Sequence, residues 1–340
     1  MKISILIIYS VNTTLIMIFS KENSIQVKGI AILCMIAYHL FGFPEKIPHD
    51  AIHSWFGSPI TKAFQICVPI YLFIGGYGLQ CIANKDSITW KEIIRRLHKL
   101  YSSYWWIAIP FIIVGFMVGY YAIDLKEFLN NLSGLISSYN GEWWFFSLYI
   151  ELLILFYFIS RIKFGWKGYL LLMTIILFIT RSINKMLPLD DCIIYQRHLK
   201  MILIDLNIFM LGCFFSKFDI FNKLNKKYSF LFNSHIVALL LITFPLITRA
   251  YGPIIGITEL FIVPMFVIAI VNICKKWGGG FFLFLGKHSM NLWLIHSFFI
   301  YYYAKNVTFL THNPTIMFFT ILVISLGCSI IVEFLKKKQI

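Results

Sequence analysis

The sequence predicts an all-α membrane protein, a polytopic bundle of transmembrane helices with about ten spans. The first observation is composition: 59% of the 340 residues are hydrophobic, 13% are charged, and the mean hydropathy is +0.78. A soluble domain keeps roughly a quarter of its residues charged because its surface faces water. The second observation is a series of apolar runs of about 17–25 residues, the length with which a helix crosses a bilayer. Lipid accommodates such a sequence, and a soluble core does not.

Ten apolar runs follow one another along the chain with brief connections. They are 29–44, 63–82, 101–121, 143–160, 168–184, 199–216, 231–249, 254–273, 288–304 and 314–334. Because no soluble domain is inserted between them, we expect one membrane domain over residues 21–340. Residues 1–20 form an extra hydrophobic segment with three readings: an eleventh span, an interfacial helix, or a start-codon artefact, since Met17 could begin the chain. This segment lacks a small-residue cleavage site, which argues against a signal peptide.

Connections rich in Lys and Arg alternate with poor ones. The richer connections and the C-terminal tail hold 18 of the 30 cations, or 21 with Lys2, Lys21 and Lys28, and the remaining segments hold nine. Cytoplasmic loops carry the excess of Lys and Arg, so we place the richer side and the C terminus in the cytoplasm. We therefore attribute the net charge of +15 mostly to this topology and to attraction toward anionic membrane lipids. No basic patch falls on a soluble face, so we expect no nucleic-acid partner.

The seven cysteines are scattered along the chain without a C-x-x-C pair. Most lie inside apolar runs, where a free cysteine behaves as a small hydrophobe. The odd count and the absence of a pattern argue against both a disulfide framework and a zinc site. We therefore expect no metal.

Five ionisable residues fall inside predicted spans, where each costs roughly 3 kcal/mol at the bilayer centre and normally faces a cavity or a partner. They are His39, Glu151, Asp205, Glu259 and His296. Five such residues in ten helices predict a polar interior, which a purely structural bundle would not need.

Lys28 and His39 are eleven residues apart in the first span. Eleven residues are about three helical turns, so the two side chains lie on one face, about 16 Å apart along the axis. We expect Lys28 at the cytoplasmic mouth, suited to an anionic headgroup, and His39 near mid-membrane as a proton acceptor. The alternative is a snorkelling lysine above a hydrogen-bonded core histidine, and spacing alone favours that alternative.

His296 and Glu151 reach a similar predicted depth from opposite sides of the membrane, so both can meet His39 as base and orienting partner. A structural hydrogen-bond network between helices is the alternative. The basic connection 90–99 holds Arg95, Arg96 and Lys99. Their side chains suit phosphate binding, although ordinary positive-inside charge explains them equally well.

At these residues the sequence resembles the acyltransferase-three family of integral membrane acyltransferases, and within it bacterial capsule and exopolysaccharide O-acetyltransferases. The family pattern of a basic residue, ten residues and a histidine fits Lys28 to His39. Further matching segments are 68–77, 96–99, 146–151, 285–289 and 293–296. The sequence departs from the family where Lys28 replaces Arg, Gly75 replaces Ser and Phe146 replaces Trp.

The resemblance implies that acyl-CoA, with acetyl-CoA expected, is the cytoplasmic donor and that a glycan hydroxyl is the acceptor at or beyond the outer face. It implies His39 as the catalytic histidine, with Glu151 or His296 orienting or discharging it. The donor-side contacts would be Lys28, Arg95, Arg96 and Lys99. The resemblance also implies a multi-pass protein of the bacterial plasma membrane that associates with polysaccharide synthesis machinery. Two alternatives stay open: a transporter or flippase for a glycan or lipid-linked precursor, and a structural or regulatory subunit.

Overall fold

The computed structural model describes residues 19–186, 194–252 and 256–338, and within these ranges the chain is helical with no strand. The extra hydrophobic segment 1–20 lies almost entirely outside the described residues. The α-helices are α1 Lys21–Phe41, α2 Pro59–Ala63, α3 Cys67–Ala83, α4 Trp90–Met117, α5 Leu125–Leu132, α6 Trp144–Ile159, α7 Trp166–Met186, α8 Ile194–Lys217, α9 Ile220–Lys227, α10 His235–Tyr251, α11 Gly256–Cys274, α12 Gly279–Ile300, α13 Lys305–Phe309 and α14 Pro314–Lys338. The predicted all-α bundle is confirmed.

Eight helices of the described chain are long and apolar enough to cross a membrane. They are Lys21–Phe41, Pro59–Ala83, Trp90–Met117, Gly141–Ile159, Trp166–Ile183, His198–Lys217, Ile257–Cys274 and Pro314–Lys338. Two further predicted spans coincide with α10, which is apolar but shorter, and with α12, which has the length but carries several polar side chains. The count of ten spans stays a prediction.

Helix α1 begins at Lys21, eight residues before the predicted start of the first span. Ser20 caps it: the Ser20 hydroxyl accepts the backbone N–H of Asn23 at 3.1 Å, and the Asn23 side chain accepts the backbone N–H of Ser20 at 3.0 Å. Such a reciprocal cap satisfies two of the N–H groups that a helix start leaves free. Local capping therefore extends the helix through a polar stretch, and Lys28 lies two turns inside α1.

The two central helices, α1 and α12, pack with their backbones in close approach. A Cβ on Gly29 would overlap the carbonyl oxygen of Phe282, and a Cβ on Gly286 would overlap the carbonyl oxygen of Ile25. Small residues allow helices in a membrane to approach this closely. Helix α12 is buried on most of its surface, in keeping with a central position. The same close contact brings the outer ends of the two helices together.

Helices α3 and α8 form a second close pair by the same means. A Cβ on Gly76 would overlap the carbonyl oxygen of Phe209, and one on Gly212 would overlap that of Phe73. Gly76, in the second predicted span, therefore serves helix packing. Its neighbour Gly75 instead lines a cavity.

Peripheral helices turn large apolar side chains outward. On α7 these include Leu171 and Phe178, and on α10 they include Ile236 and Leu239, each more than half exposed. A soluble protein rarely exposes so much contiguous apolar surface, whereas a lipid-facing helix needs it. This surface, the long apolar helices and the composition identify a multi-pass membrane protein.

Candidate active site

Two histidines from the central helices meet near the outer ends of those helices. His39 lies in the last turn of α1 and His296 lies four residues before the end of α12. Nδ1 of His39 is 2.6 Å from Nε2 of His296, and the two rings are nearly parallel, with an interplanar angle of 6°. Both side chains are buried. The closeness follows from the glycine contacts that pull α1 onto α12.

The neighbours of His296 determine where the protons of the histidine pair lie. Nδ1 of His296 is 2.8 Å from the carbonyl oxygen of Trp293 and 3.1 Å from that of Leu292. Because a carbonyl only accepts, Nδ1 carries the proton and Nε2 presents a lone pair. Nδ1 of His39 must then donate to that lone pair. This leaves Nε2 of His39 as the ring nitrogen of the pair that contacts neither the other histidine nor a carbonyl of its own helix.

Glu142 faces that remaining nitrogen. Its Oε2 lies 3.1 Å from Nε2 of His39, and its Oε1 lies 3.6 Å from Nζ of Lys46. Two lone pairs at this separation would repel, so one proton is shared between His39 and Glu142. Nζ of Lys46 also lies over the rings of Phe43 and Tyr301, at 4.6 and 4.8 Å from their centroids. We call His39, His296, Glu142 and Lys46 the histidine centre.

The start of α6 is held against α12, and this fixes the position of Glu142. Nε1 of Trp293 donates to the carbonyl oxygen of Glu142 at 3.2 Å, and Nε1 of Trp143 donates to the carbonyl oxygen of Leu294 at 3.0 Å. Two residues before Glu142, Nδ2 of Asn140 donates to the hydroxyl of Ser297 at 2.7 Å. Hydrogen bonds in both directions therefore hold the backbone around Glu142 against α12. The hydroxyl of Tyr301, directly after α12, donates to the carbonyl oxygen of His39 on α1.

An inner cavity of about 260 Å³ lies on the Lys-rich side of the bundle. Lys28, Arg96 and Lys99 line it together with hydroxyl groups of α3, α4 and α12. Arg96 is paired with Glu92 at 2.9 Å. Among the residues that the structure describes, no carboxylate lies within 4 Å of Lys28 or Lys99. The inner cavity is therefore electropositive, and among the described residues two of its three cations have no carboxylate partner.

An outer cavity of about 160 Å³ lies beside the histidine centre. His39 and Glu142 line it, and its other polar and aromatic lining residues include Gln65, Tyr38 and Trp144. Groups that accept or donate protons therefore face a space in which a small reacting group can sit. Within the described ranges, no cluster of three or more His, Cys, Asp and Glu side chains is placed to hold a metal ion.

The structure brings some of the predicted site residues together and separates others. His39 and His296 form a pair, and Lys28, Arg96 and Lys99 line one cavity. Glu151 lies two and a half turns beyond Glu142, where its Oε1 pairs with Nδ1 of His198 of α8 at 2.9 Å. Arg95 pairs with Glu92 at 2.7 Å; its side chain is 77% exposed, and it does not line the inner cavity.

The depth of the histidine centre differs from the expected one. His39 was expected near mid-membrane and Lys28 at the helix mouth, but His39 lies two residues before the end of α1 and Lys28 lies seven residues after its start. The early start of α1 at its Ser20 cap shifts both residues along the helix. Lys28 therefore lies within the bundle, and His39 lies close to the opposite end of α1.

Sequence reasoning missed Glu142 and Lys46. Glu142 directly precedes the predicted fourth span, and Lys46 lies in the connection after the first, so neither counted as an intramembrane charge. One signal was present: Glu142 adjoins the aromatic pair Trp143 and Trp144, at a boundary where an acidic residue is poorly placed beside a membrane interface. Only the fold of α6 against α12 shows that its side chain points inward.

Comparisons with known proteins give one match. The acyltransferase-three family, described as an acyltransferase domain, matches residues 23–334, nearly the whole chain. No curated protein matches this chain. No solved structure matches it either.

Proposed function

Because this chain belongs to the acyltransferase-three family and is a membrane acyltransferase, we propose that it transfers an acetyl group from cytoplasmic acetyl-CoA to a glycan hydroxyl. The acceptor is a cell-surface polysaccharide or its lipid-linked precursor, and the enzyme works in the bacterial plasma membrane beside the machinery that makes the polysaccharide. One observation carries the proposal: the histidine centre borders an outer cavity, and that outer cavity shares three lining residues with an electropositive inner cavity.

The donor is assigned from the unpaired cations of the inner cavity. The half-buried ammonium of Lys28 is costly without a counterion, and an anionic ligand removes that cost, whereas Lys99 is exposed and adds positive charge at the cavity. The phosphates of CoA would supply the counterions of Lys28 and Lys99, with Arg96 as a third contact. The rise of about 16 Å between Lys28 and His39 along α1 calls for a donor with a long extended linker between its phosphates and its reactive carbonyl. An acyl thioester of CoA has that shape.

The reaction is direct acyl transfer with His39 as general base. In the reacting complex the acceptor hydroxyl enters from the outer cavity and donates to Nε2 of His39, and the shared proton has left to the outer solvent. The hydroxyl proton moves to Nε2 while the oxygen bonds to the thioester carbonyl carbon. The carbon–sulfur bond then breaks, and the departing thiolate takes the proton from the imidazolium. The products are a glycan ester and CoA.

Each other member of the histidine centre has a role in this step. Nε2 of His296 accepts a hydrogen bond from Nδ1–H of His39. This bond fixes the tautomer of His39 in which Nε2 has a lone pair for the acceptor hydroxyl. Glu142 stabilises the imidazolium, as an adjacent carboxylate does. Nζ of Lys46 lies 3.6 Å from Oε1 of Glu142 and pairs with the carboxylate. These roles differ from a structural hydrogen-bond network because they converge on one nitrogen that borders a cavity.

A covalent route, in which His39 carries the acyl group, uses the same nitrogen. Rapid quenching of the enzyme with labelled acetyl-CoA and no acceptor separates the two routes. Direct transfer predicts no acyl-enzyme; acetyl-histidine that is released by hydroxylamine would establish the covalent route.

Labelled acetyl-CoA tests the proposed function against the transporter alternative. Membrane vesicles that hold the glycan acceptor receive acetyl-CoA labelled in the acetyl carbons, with and without this protein. We expect protein-dependent label in the glycan fraction that mild alkali releases as acetate. A transporter would move the glycan without any transfer of label, and that result would contradict the proposal.

A further inference from the structure

We infer that Met35, Phe145 and Trp293 form an apolar septum between the inner and outer cavities, and that this septum restricts the transferred group to short acyl chains. The inference rests on the proposed function. It names the residues that select the acyl group, whereas the histidine centre and the inner-cavity cations account for chemistry and for donor binding alone.

The first observation is the position of the three side chains. Met35, Phe145 and Trp293 are the residues that line both cavities. A reacting group that passes from the cations to the histidine centre must therefore pass between them. No charged side chain is shared between the two cavities, so the passage is suited to an apolar group.

Helical register makes the septum a layer. Each septum residue lies about one turn from a member of the histidine centre: Met35 is four residues before His39, Phe145 is three after Glu142, and Trp293 is three before His296. Three or four residues rise about 5 Å along a helix. The three helices therefore place the septum at one common depth, directly below the histidine centre.

The septum has two aromatic walls and a flexible third member. The rings of Phe145 and Trp293 meet edge to face with centroids 5.7 Å apart. Trp293 is held by its indole hydrogen bond to the carbonyl oxygen of Glu142. Met35 is only 3% exposed and carries an unbranched side chain, which adapts its shape more readily than an aromatic ring. Met35 is therefore the septum residue whose side chain changes conformation when an acyl group passes.

Size selection follows from the small space beyond the septum. The outer cavity of about 160 Å³ must hold the reacting acyl group and the acceptor hydroxyl together. Every further methylene of a longer chain must displace a packed side chain or the acceptor. An apolar pocket distinguishes one methylene by about 10- to 200-fold, so an acetyl group is strongly favoured over a butyryl group.

Widening the septum tests the inference. Membranes that contain the full-length protein and its glycan are supplied with labelled acetyl-CoA or butyryl-CoA, and the ratio of butyryl to acetyl transfer is measured. We expect Met35→Ala and Phe145→Ala to raise this ratio at least about tenfold. Matched controls are Met117→Ala and Phe158→Ala, because both side chains are exposed on the outside of the bundle and should leave the ratio unchanged.

Phe145→Leu is a milder variant that keeps the test valid if Phe145→Ala does not fold. A monodisperse size-exclusion profile in detergent shows whether each variant is folded. An unchanged ratio in folded Met35→Ala and Phe145→Leu, with acetyl transfer by the wild type intact, would overturn the septum and leave the proposed function standing. No transfer from either donor by the wild type would overturn the proposed function, and the septum inference with it.

Discussion

At the residue scale, the proposed chemistry depends on one shared proton. The carbonyl groups beside His296 fix its tautomer, this fixes that of His39, and Glu142 then faces the nitrogen of His39 beside the outer cavity. In the proposed mechanism Glu142 is therefore the partner of the reacting nitrogen. That role is distinct from that of a surface ion pair, which contributes little.

Replacing Glu142 with Gln tests that role. The amide keeps the size of the side chain but cannot stabilise an imidazolium, so we expect acetyl transfer to fall about 100-fold while the protein stays folded. Transfer of label from acetyl-CoA to glycan is the measurement. The control is Glu45→Gln, since Glu45 is exposed in the same outer region. A loss of activity no greater than that of the control would contradict the role of Glu142.

The sequence predicted the two histidines of the centre but not its carboxylate. His39 and His296 stand out because each interrupts a long apolar run, where an ionisable group is costly unless it faces a cavity or a partner. Glu142 lies just outside such a run, and its inward direction depends on tryptophan hydrogen bonds between α6 and α12 that no local pattern encodes. Glu151 had the sequence signal instead, and the structure pairs it with His198.

Pairs of helices set the geometry in which those residues meet. The 2.6 Å contact between His39 and His296 requires that α1 and α12 lie almost backbone to backbone, which Gly29 and Gly286 permit. The sequence suggested close packing for glycines inside spans, but it could not show which helices pair. Nor did apolarity alone predict the start of α1, because the cap at Ser20 extends that helix through polar residues.

Gly286→Val tests the dependence of the site on helix spacing. The added side chain would meet the backbone at Ile25 and push α1 from α12, so we expect at least about a 100-fold loss of transfer from the separated base and partner. Transfer activity and detergent stability are both measured. Gly280→Ala is the matched control on α12, since a Cβ there meets open space. Normal activity in Gly286→Val would show that the close approach is not needed.

At the scale of the whole molecule, the orientation of the bundle in the membrane stays a prediction from the excess of Lys and Arg. In that orientation the inner cavity faces the cytoplasm, and the proposed donor and acceptor approach one nitrogen from opposite sides. The all-α fold was predictable from apolar runs, whereas the two cavities arise from the packing of several helices and were not.

Cysteine labelling tests this orientation. Lys126→Cys in α5 and Lys226→Cys in α9 are both exposed positions, studied in a Cys192→Ser background because the other cysteines are buried or half-buried. A membrane-impermeant maleimide added to intact cells should label Lys126→Cys alone, and it should label Lys226→Cys only after lysis. The reverse pattern would invert the topology and place the cation-lined cavity outside.

The most direct test of the account is acetyl transfer by His39→Ala. The variant removes the nitrogen on which every proposed step converges, so we expect folded protein in the membrane and at least about a 100-fold loss of label transfer from acetyl-CoA to glycan. His235→Ala, an exposed histidine at the start of α10, should transfer label at the wild-type rate. Near-normal transfer by His39→Ala would contradict the account.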